Sequence, residues 1–286
     1  MLSKNFRTAL LLLLILNHGL LFASDFKLHG SKVLIQSKGL SLTEYRVDNP
    51  FRKKPARIRI LEIDPQYYQF KLINVSKELA NKKAETNDLG KTAKQWAAQY
   101  QLTAAINASM FRQDHKSSAA YMQNGNHINS SKWTKDNIVL AFDPVDIKDR
   151  PIRMLDKQCD NLSMYKKRYR VLIQNIRMYS CKGKNVWSDQ NKRWSISAVG
   201  ESRDNKILFI HSRSPFKVHD FVTILSKLPI KLSRAMYVEG GPEATLYVNT
   251  GKQEFEYVGS YETGFMENSN NHRAWELPNV IGILPR

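Results

Sequence analysis

Apolar and polar side chains alternate with a period of two through much of this chain. Ile58 and Ile60 do so within Ala56–Ile63, and Phe70 and Leu72 within Tyr67–Asn74, the two segments joining around Asp64-Pro65. Strand side chains point to opposite faces in turn, so this spacing predicts half-buried, antiparallel strands. Ser31–Gln36, Thr103–Asn107, Ile138–Phe142, Val171–Tyr179, Ser195–Val199 and Ile207–His211 read as further strands. All are short and rich in residues that fit a pleated surface. Asn124-Gly125, between Ala119–Gln123 and His127–Asn129, is a hairpin signal because its turn needs positive φ values. Two stretches carry the helical period instead. Leu89, Ala93, Trp96, Ala97 and Tyr100 recur along Leu89–Gln101, with Asp88 as N-cap, and His219–Leu228 stops before Pro229. Strands outnumber helices, and the helices interrupt rather than alternate. The pattern predicts an α+β fold, a large antiparallel or mixed sheet with helices packed against it in a single domain. Residues 143–193 are the least regular and read as an insertion.

The first residues follow another pattern. Lys4 and Arg7 precede the unbroken apolar run Ala9–Leu16, and Leu21-Phe22-Ala23-Ser24 offers small residues for cleavage. That is the layout of a secretory signal peptide, and its apolar core is short for a membrane span. Residues 1–24 are expected to leave on export, giving a periplasmic or secreted domain over 25–286 with no integral membrane span. An uncleaved N-terminal anchor is the alternative. Cys159 and Cys181 are the two cysteines. An even count in an exported chain favours a disulfide, and two buried free thiols are the other reading.

Charge narrows the partners. Lys and Arg number 44 against 26 Asp and Glu, a formal charge of +18, or +16 without Lys4 and Arg7. A basic surface attracts polyanions. No zinc-finger spacing or aromatic-glycine RNA motif supports nucleic acid, so an anionic envelope glycan is the better candidate. Gly-x-Ser-x-Gly, His-Glu-x-x-His, Walker and dinucleotide motifs are absent, which disfavours serine hydrolase, zinc protease and nucleotide chemistry.

The densest candidate chemistry is Glu239-Gly240-Gly241-Pro242-Glu243, between the strands Ala235–Val238 and Ala244–Val248. Glycines there leave backbone N–H groups open to a ligand, and two carboxylates flank the turn. Carboxylates so placed suit acid/base work on a sugar or phosphate; a solvated surface hairpin is the bland alternative. Asn107, where a buried strand meets a loop, can hold a sugar hydroxyl or satisfy the turn's own backbone. Arg112 and Asp114 follow it. His211 and Arg213 continue a strand, and Arg213 could bind a phosphate oxygen. Asp114, Asp143, Glu201, Glu239 and Glu243 could contribute to a divalent cation site, although their spacing does not require one.

Glu239-Gly240-Gly241-Pro242-Glu243-Ala244 resembles the Asp/Glu-Gly-Gly signature of the phosphodiester glycosidase domain family. Ile106-Asn107-Ala108-Ser109-Met110-Phe111 is similar to its Asn-x-Gly-Met-Phe/Tyr segment, and Trp194–Gly200 to its Arg-x-Ala-x-Gly segment. Pro278–Ile283 resembles the closing strand of bacterial members. The departures are Glu239 for Asp, Glu243 for a small hydroxyl residue, Ser109 for glycine and Ala119-Ala120 for Pro-Gly. The resemblance implies an exported hydrolase acting on a sugar-1-phosphodiester or related glycosidic bond. Taken with the glycine turn and the residues around it, the expected catalytic residues are Glu239, Glu243 and Asn107, and the expected substrate contacts are Gly240, Gly241, Arg213, His211, Asp114 and Arg112. A non-catalytic protein that binds an anionic glycan through a basic groove is the rival expectation.

Overall fold

A computed structural model describes residues 26–49, 53–81 and 90–286. The segment 1–24 read as a signal peptide, together with Asp88 and Leu89, lies outside them. In chain order the first strands are β1 Leu28–Ser37, β2 Leu40–Val47, β3 Ala56–Ile63 and β4 Tyr68–Asn74. Next come β5 Ala104–Asn107, β6 Met122–Asn124, β7 His127–Ser130, β8 Ile138–Pro144 and β9 Ile152–Asp156. The rest are β10 Tyr169–Tyr179, β11 Trp194–Ser202, β12 Ile207–Phe216, β13 Leu232–Gly240, β14 Thr245–Asn249, β15 Glu254–Val258 and β16 Asn279–Pro285. The helices are α1 Val75–Ala80, α2 Ala93–Tyr100, α3 Leu162–Lys166 and α4 Val218–Lys227.

Among the described residues these strands form two antiparallel sheets. The larger, of eleven strands, runs β1-β2-β3-β12-β11-β13-β10-β6-β7, with β8 on β10 and β9 on β8; the smaller, of five, runs β15-β14-β5-β16-β4. Within 143–193, β9 and β10 therefore belong to the larger sheet. The expected single sheet is corrected to two, and at 48% strand against 13% helix the fold is more β-rich than α+β implies.

The period of two shows how the layers stack. On β3, Leu61 and Ile63 point into a core shared with the smaller sheet, which adds Leu72, Ile106, Leu246 and Ile281. The alternate Ile58 and Ile60 point the other way, towards Phe221, Val222 and Leu225 of α4. On the outer side of the smaller sheet, Trp96 and Ala97 of α2 cover Ile73, Ala105 and Val280. The order is helix, large sheet, small sheet, helix. Strands sandwiched in this way are apolar on both faces, which is why Ile207–Ile210 reads as an unbroken apolar run.

Helix α2 begins where its cap allows. Thr92 Oγ1 accepts the Gln95 N–H and Gln95 Oε1 accepts the Thr92 N–H, a reciprocal capping box. Thr92 thus takes the capping place assigned to Asp88. No helix of the described residues is long and apolar enough to cross a membrane.

Cys159 and Cys181 are disulfide-bonded, with Cα atoms 6.4 Å apart. Between them and the core sits fully buried Asp156, which accepts from Arg177 Nη1 at 2.5 Å and from the Cys181 N–H at 2.9 Å. The bridge and the ion pair pin the same corner. Replacing both cysteines by alanine should lower unfolding free energy by roughly 3 kcal/mol, the loop-entropy value for a loop of this length. Equilibrium urea unfolding checks this, and an unchanged midpoint would show that Asp156 holds the corner alone.

Candidate active site

Strand β13 lies in the large sheet and β14 in the small one, so residues 239–244 carry the chain from one sheet to the other. The turn is not a hairpin, which corrects the surface-hairpin alternative. Gly241–Glu243 forms a short 3-10 turn with Pro242 inside it. The two glycines serve different needs. Gly241 has φ +66, and a methyl group there would lie 2.3 Å from Glu262 Oε2. Gly240 is extended, with φ −134, but a methyl group would lie 2.0 Å from Tyr237 Oη and 2.7 Å from Trp194 Cδ1. One is required by backbone conformation, the other by close packing. On β11, Ser197 faces Glu239 while the next residue, Ala198, faces Tyr237, so β13 carries an extra residue there. Such a bulge re-aims neighbouring side chains, here at the end of the strand.

Three carboxyl groups and a phenol meet at this turn. Glu239 Oε1 accepts the Gly240 N–H at 3.0 Å. Burial, then the charge of Glu243, raises the Glu239 carboxyl well above the usual range. Burial pushes Glu243 up to about 7, with Glu262 adding to the shift. Glu262 is also raised by burial, with the charge of Lys192 working against it. Tyr237 is raised by burial and then by the three glutamates. Its ring packs 5.4 Å from Trp187 and 6.3 Å from Trp194, forming an aromatic wall beside the carboxyls.

Several residues expected at the site turn out to hold its frame. Asn107 is buried, donates Nδ2–H to Glu243 O at 3.0 Å and accepts the Thr245 N–H at 2.8 Å. His211 is fully buried with Nε2 3.2 Å from Ala244 O, and burial lowers it to about 3. Its neutral ring donates to that carbonyl, so the expected substrate contact is turned to the backbone of the turn. Arg213 sends Nη1 to Val258 O and Gly259 O and Nη2 to Ser269 O and Asn271 O. It thereby staples the loop that carries Glu262. Ser195 Oγ holds the same loop by accepting the Ser260 and Tyr261 N–H groups.

Arg112 and Asp114 lie on another turn. Arg112 donates to Ser130 Oγ, and Asp114 accepts the Lys116 and Ser117 N–H groups. The five carboxylates weighed for a cation do not gather, since Asp143 pairs with Arg170 and Glu201 with Arg150 and Arg234. Among the described residues, Asp189, His219 and Asp220 are the one group of three metal-competent side chains within 4.8 Å. Sequence reading missed Glu262, Tyr237, Trp187 and Trp194. Tyr237 stands two residues before Glu239, but the extra residue of β13 between them breaks the period-two relation. Glu262 lies in an irregular loop that gives no periodic signal.

Residues 100–284 match a family model described as phosphodiester glycosidase, and the chain belongs to that family. The match runs from just before β5 to β16 and takes in Asn107, the glycine turn and Glu262. The structure is similar to the catalytic domain of zebrafish N-acetylglucosamine-1-phosphodiester alpha-N-acetylglucosaminidase, auto-inhibited by its pro-peptide. Identity is 12%, coverage 91% of this chain and 89% of that one, and the TM-score 0.62. It is also similar to a hypothetical protein from Synechocystis, at 10% identity, 90% and 64% coverage and TM-score 0.59. These identities establish a shared fold. No curated protein matches the sequence.

Asn107 offers a direct test of the frame. Asn107→Ala strands the Thr245 N–H in the interior, at about 1–3 kcal/mol for a group left unpaired, while the Glu243 carbonyl keeps the Thr245 hydroxyl. The urea midpoint should fall accordingly, and a wild-type midpoint would mean the crossing is held by other contacts.

Proposed function

We propose that this member of the phosphodiester glycosidase family hydrolyses a glycosidic bond of a carbohydrate, either a sugar-1-phosphodiester or a related glycoside. The observation that carries the reading is the Glu243 carboxyl, held at about 7 among two further glutamates. A group titrating near neutrality is suited to donate a proton to a leaving oxygen and take one back from water. Burial, then the charge of Glu243, raises the Glu239 carboxyl well above the usual range, which favours its neutral, hydrogen-bonding form. Trp187, Trp194 and Tyr237 supply ring faces of the kind that line sugar pockets. Asn107, His211 and Arg213 act by positioning: Asn107 holds a backbone carbonyl and a backbone N–H, His211 meets the Ala244 carbonyl through Nε2, and Arg213 Nη2 meets the Ser269 and Asn271 carbonyls. Gly240 and Gly241 make room for the phenol and the carboxylates.

We also read residues 1–24 as a signal peptide and 25–286 as the mature domain, with the disulfide in keeping with an oxidising compartment. The intact mass of the native protein should correspond to a chain starting within a few residues of Ser24; retention of residues 1–20 would overturn export.

The enzymatic test is a screen of purified protein against aryl glycosides and glycosyl phosphodiesters. Turnover should fall as pH rises through about 7, since Glu243 acts in its protonated form. Glu243→Gln should lose about 10²–10⁴-fold on alkyl glycosides and much less where the leaving group needs no proton. Equal losses on both would show that Glu243 is not the acid. A protein that retains anionic glycans and turns none over would be the envelope binder instead.

A further inference from the structure

The glycosidase reading leaves open which group attacks the anomeric carbon, and the packing around Gly241 answers it. A methyl group on Gly241 would lie 2.3 Å from Glu262 Oε2 and 3.3 Å from Glu243 Oε2. Two atoms that close to one point stand no more than about 5.6 Å apart. Glycosidases that retain configuration space their two carboxyl groups at about 5–5.5 Å, whereas inverting enzymes need about 6.5–9.5 Å to admit a water. The facing oxygens of the pair across Gly241 therefore lie closer than the inverting range.

The division of roles follows from surroundings. Glu239 is turned onto its own backbone, accepting the Gly240 N–H. Glu262 is the least buried of the three; burial raises its carboxyl, and Lys192 works against that rise. Its loop is rigidly held: the Glu262 N–H donates to Met266 O at 2.9 Å, and the Met266 N–H donates back to Glu262 O at 3.0 Å. Ser195 and Arg213 anchor both flanks of that loop. A carboxylate fixed in this way loses little freedom when it forms a bond.

We infer that Glu262 is the nucleophile of a retaining double displacement in which Glu243 serves first as acid and then as base. The inference rests on the glycosidase reading. In the first step a Glu262 oxygen bonds to the anomeric carbon, the bond to the leaving oxygen breaks, and that oxygen takes the electron pair and the Glu243 proton. In the second, water bonds to the anomeric carbon and gives its proton to Glu243, and the ester bond to Glu262 breaks to restore the carboxylate. No other reactant is consumed.

The test uses the full mature protein and the best substrate from the screen. NMR of the first-formed sugar should show the same anomeric configuration as the substrate. A 2-fluoro glycoside of that sugar should add one glycosyl mass to the wild type, and peptide mapping should find it on Glu262. Glu262→Ala should lose about 10⁴-fold or more, with sodium azide restoring turnover and yielding a glycosyl azide of opposite configuration. Should the alanine variant fail to fold, labelling of the wild type decides alone. An inverted product, a label on Glu239 or Glu243, or wild-type turnover in Glu262→Ala would remove the nucleophile while leaving the glycosidase reading intact. A wild type inert towards every glycoside and glycosyl phosphodiester would remove both.

Discussion

The passage of the chain from one sheet to the other at Glu239–Ala244 is the constraint on which the rest of the structure depends. A segment crossing between packed layers takes its backbone polar groups out of water, and each must find a partner inside. Here the partners come from separate parts of the chain. Asn107 serves the Glu243 carbonyl and the Thr245 N–H, while His211 and the Gly259 N–H share the Ala244 carbonyl. Ser197 adds a longer contact to Thr245 O. Both sheets and the C-terminal loop thus fix the crossing, and its position is determined several times over.

That over-determination is what permits an electrostatically unfavourable cluster. Gathering three carboxyl groups in a partly dry notch disfavours ionisation of each through desolvation, and repulsion from a neighbouring carboxylate adds to this for Glu239 and Glu243. A freely mobile turn would relieve the conflict by moving the side chains apart. This one cannot, because Gly241 in its left-handed conformation leaves just enough room for Glu262, and Tyr237 and Trp194 close over Gly240. The conflict is met by retaining protons, which yields a group titrating near neutrality.

Legibility in the sequence divided along the range of the interactions. Short-range patterns carried the strands: alternation gave β3 and β4, Asn124-Gly125 gave the β6–β7 turn, and parity gave the disulfide. Which strands share a sheet depends on long-range pairing, such as β5 between β14 and β16, and no local pattern encodes it. The same held at the site. The glycine turn and its flanking glutamates were visible because Gly-Gly-Pro is locally unusual. Glu262 and the aromatic wall were not, because folding brings them there from elsewhere. Residues such as His211 and Arg213 looked chemical by type, and their work proved to be structural once their partners were known.

Charge offers a parallel contrast of scale. Basic residues crowd between Arg150 and Arg177, and part of that run is internal. Arg177 pairs with Asp156, Arg150 with Glu201, and Arg153 approaches Asp160, which also pairs with Arg234. Those guanidiniums balance buried acids and contribute little to an outward field. The lysines that remain exposed act at long range, where salt screens them within about 8–10 Å. The glutamates at the turn act at contact range inside the protein, where screening is weak. Long-range attraction of anions and proton retention at the turn can therefore be set independently. This lets a strongly basic chain hold a proton-retaining acidic centre without either property cancelling the other.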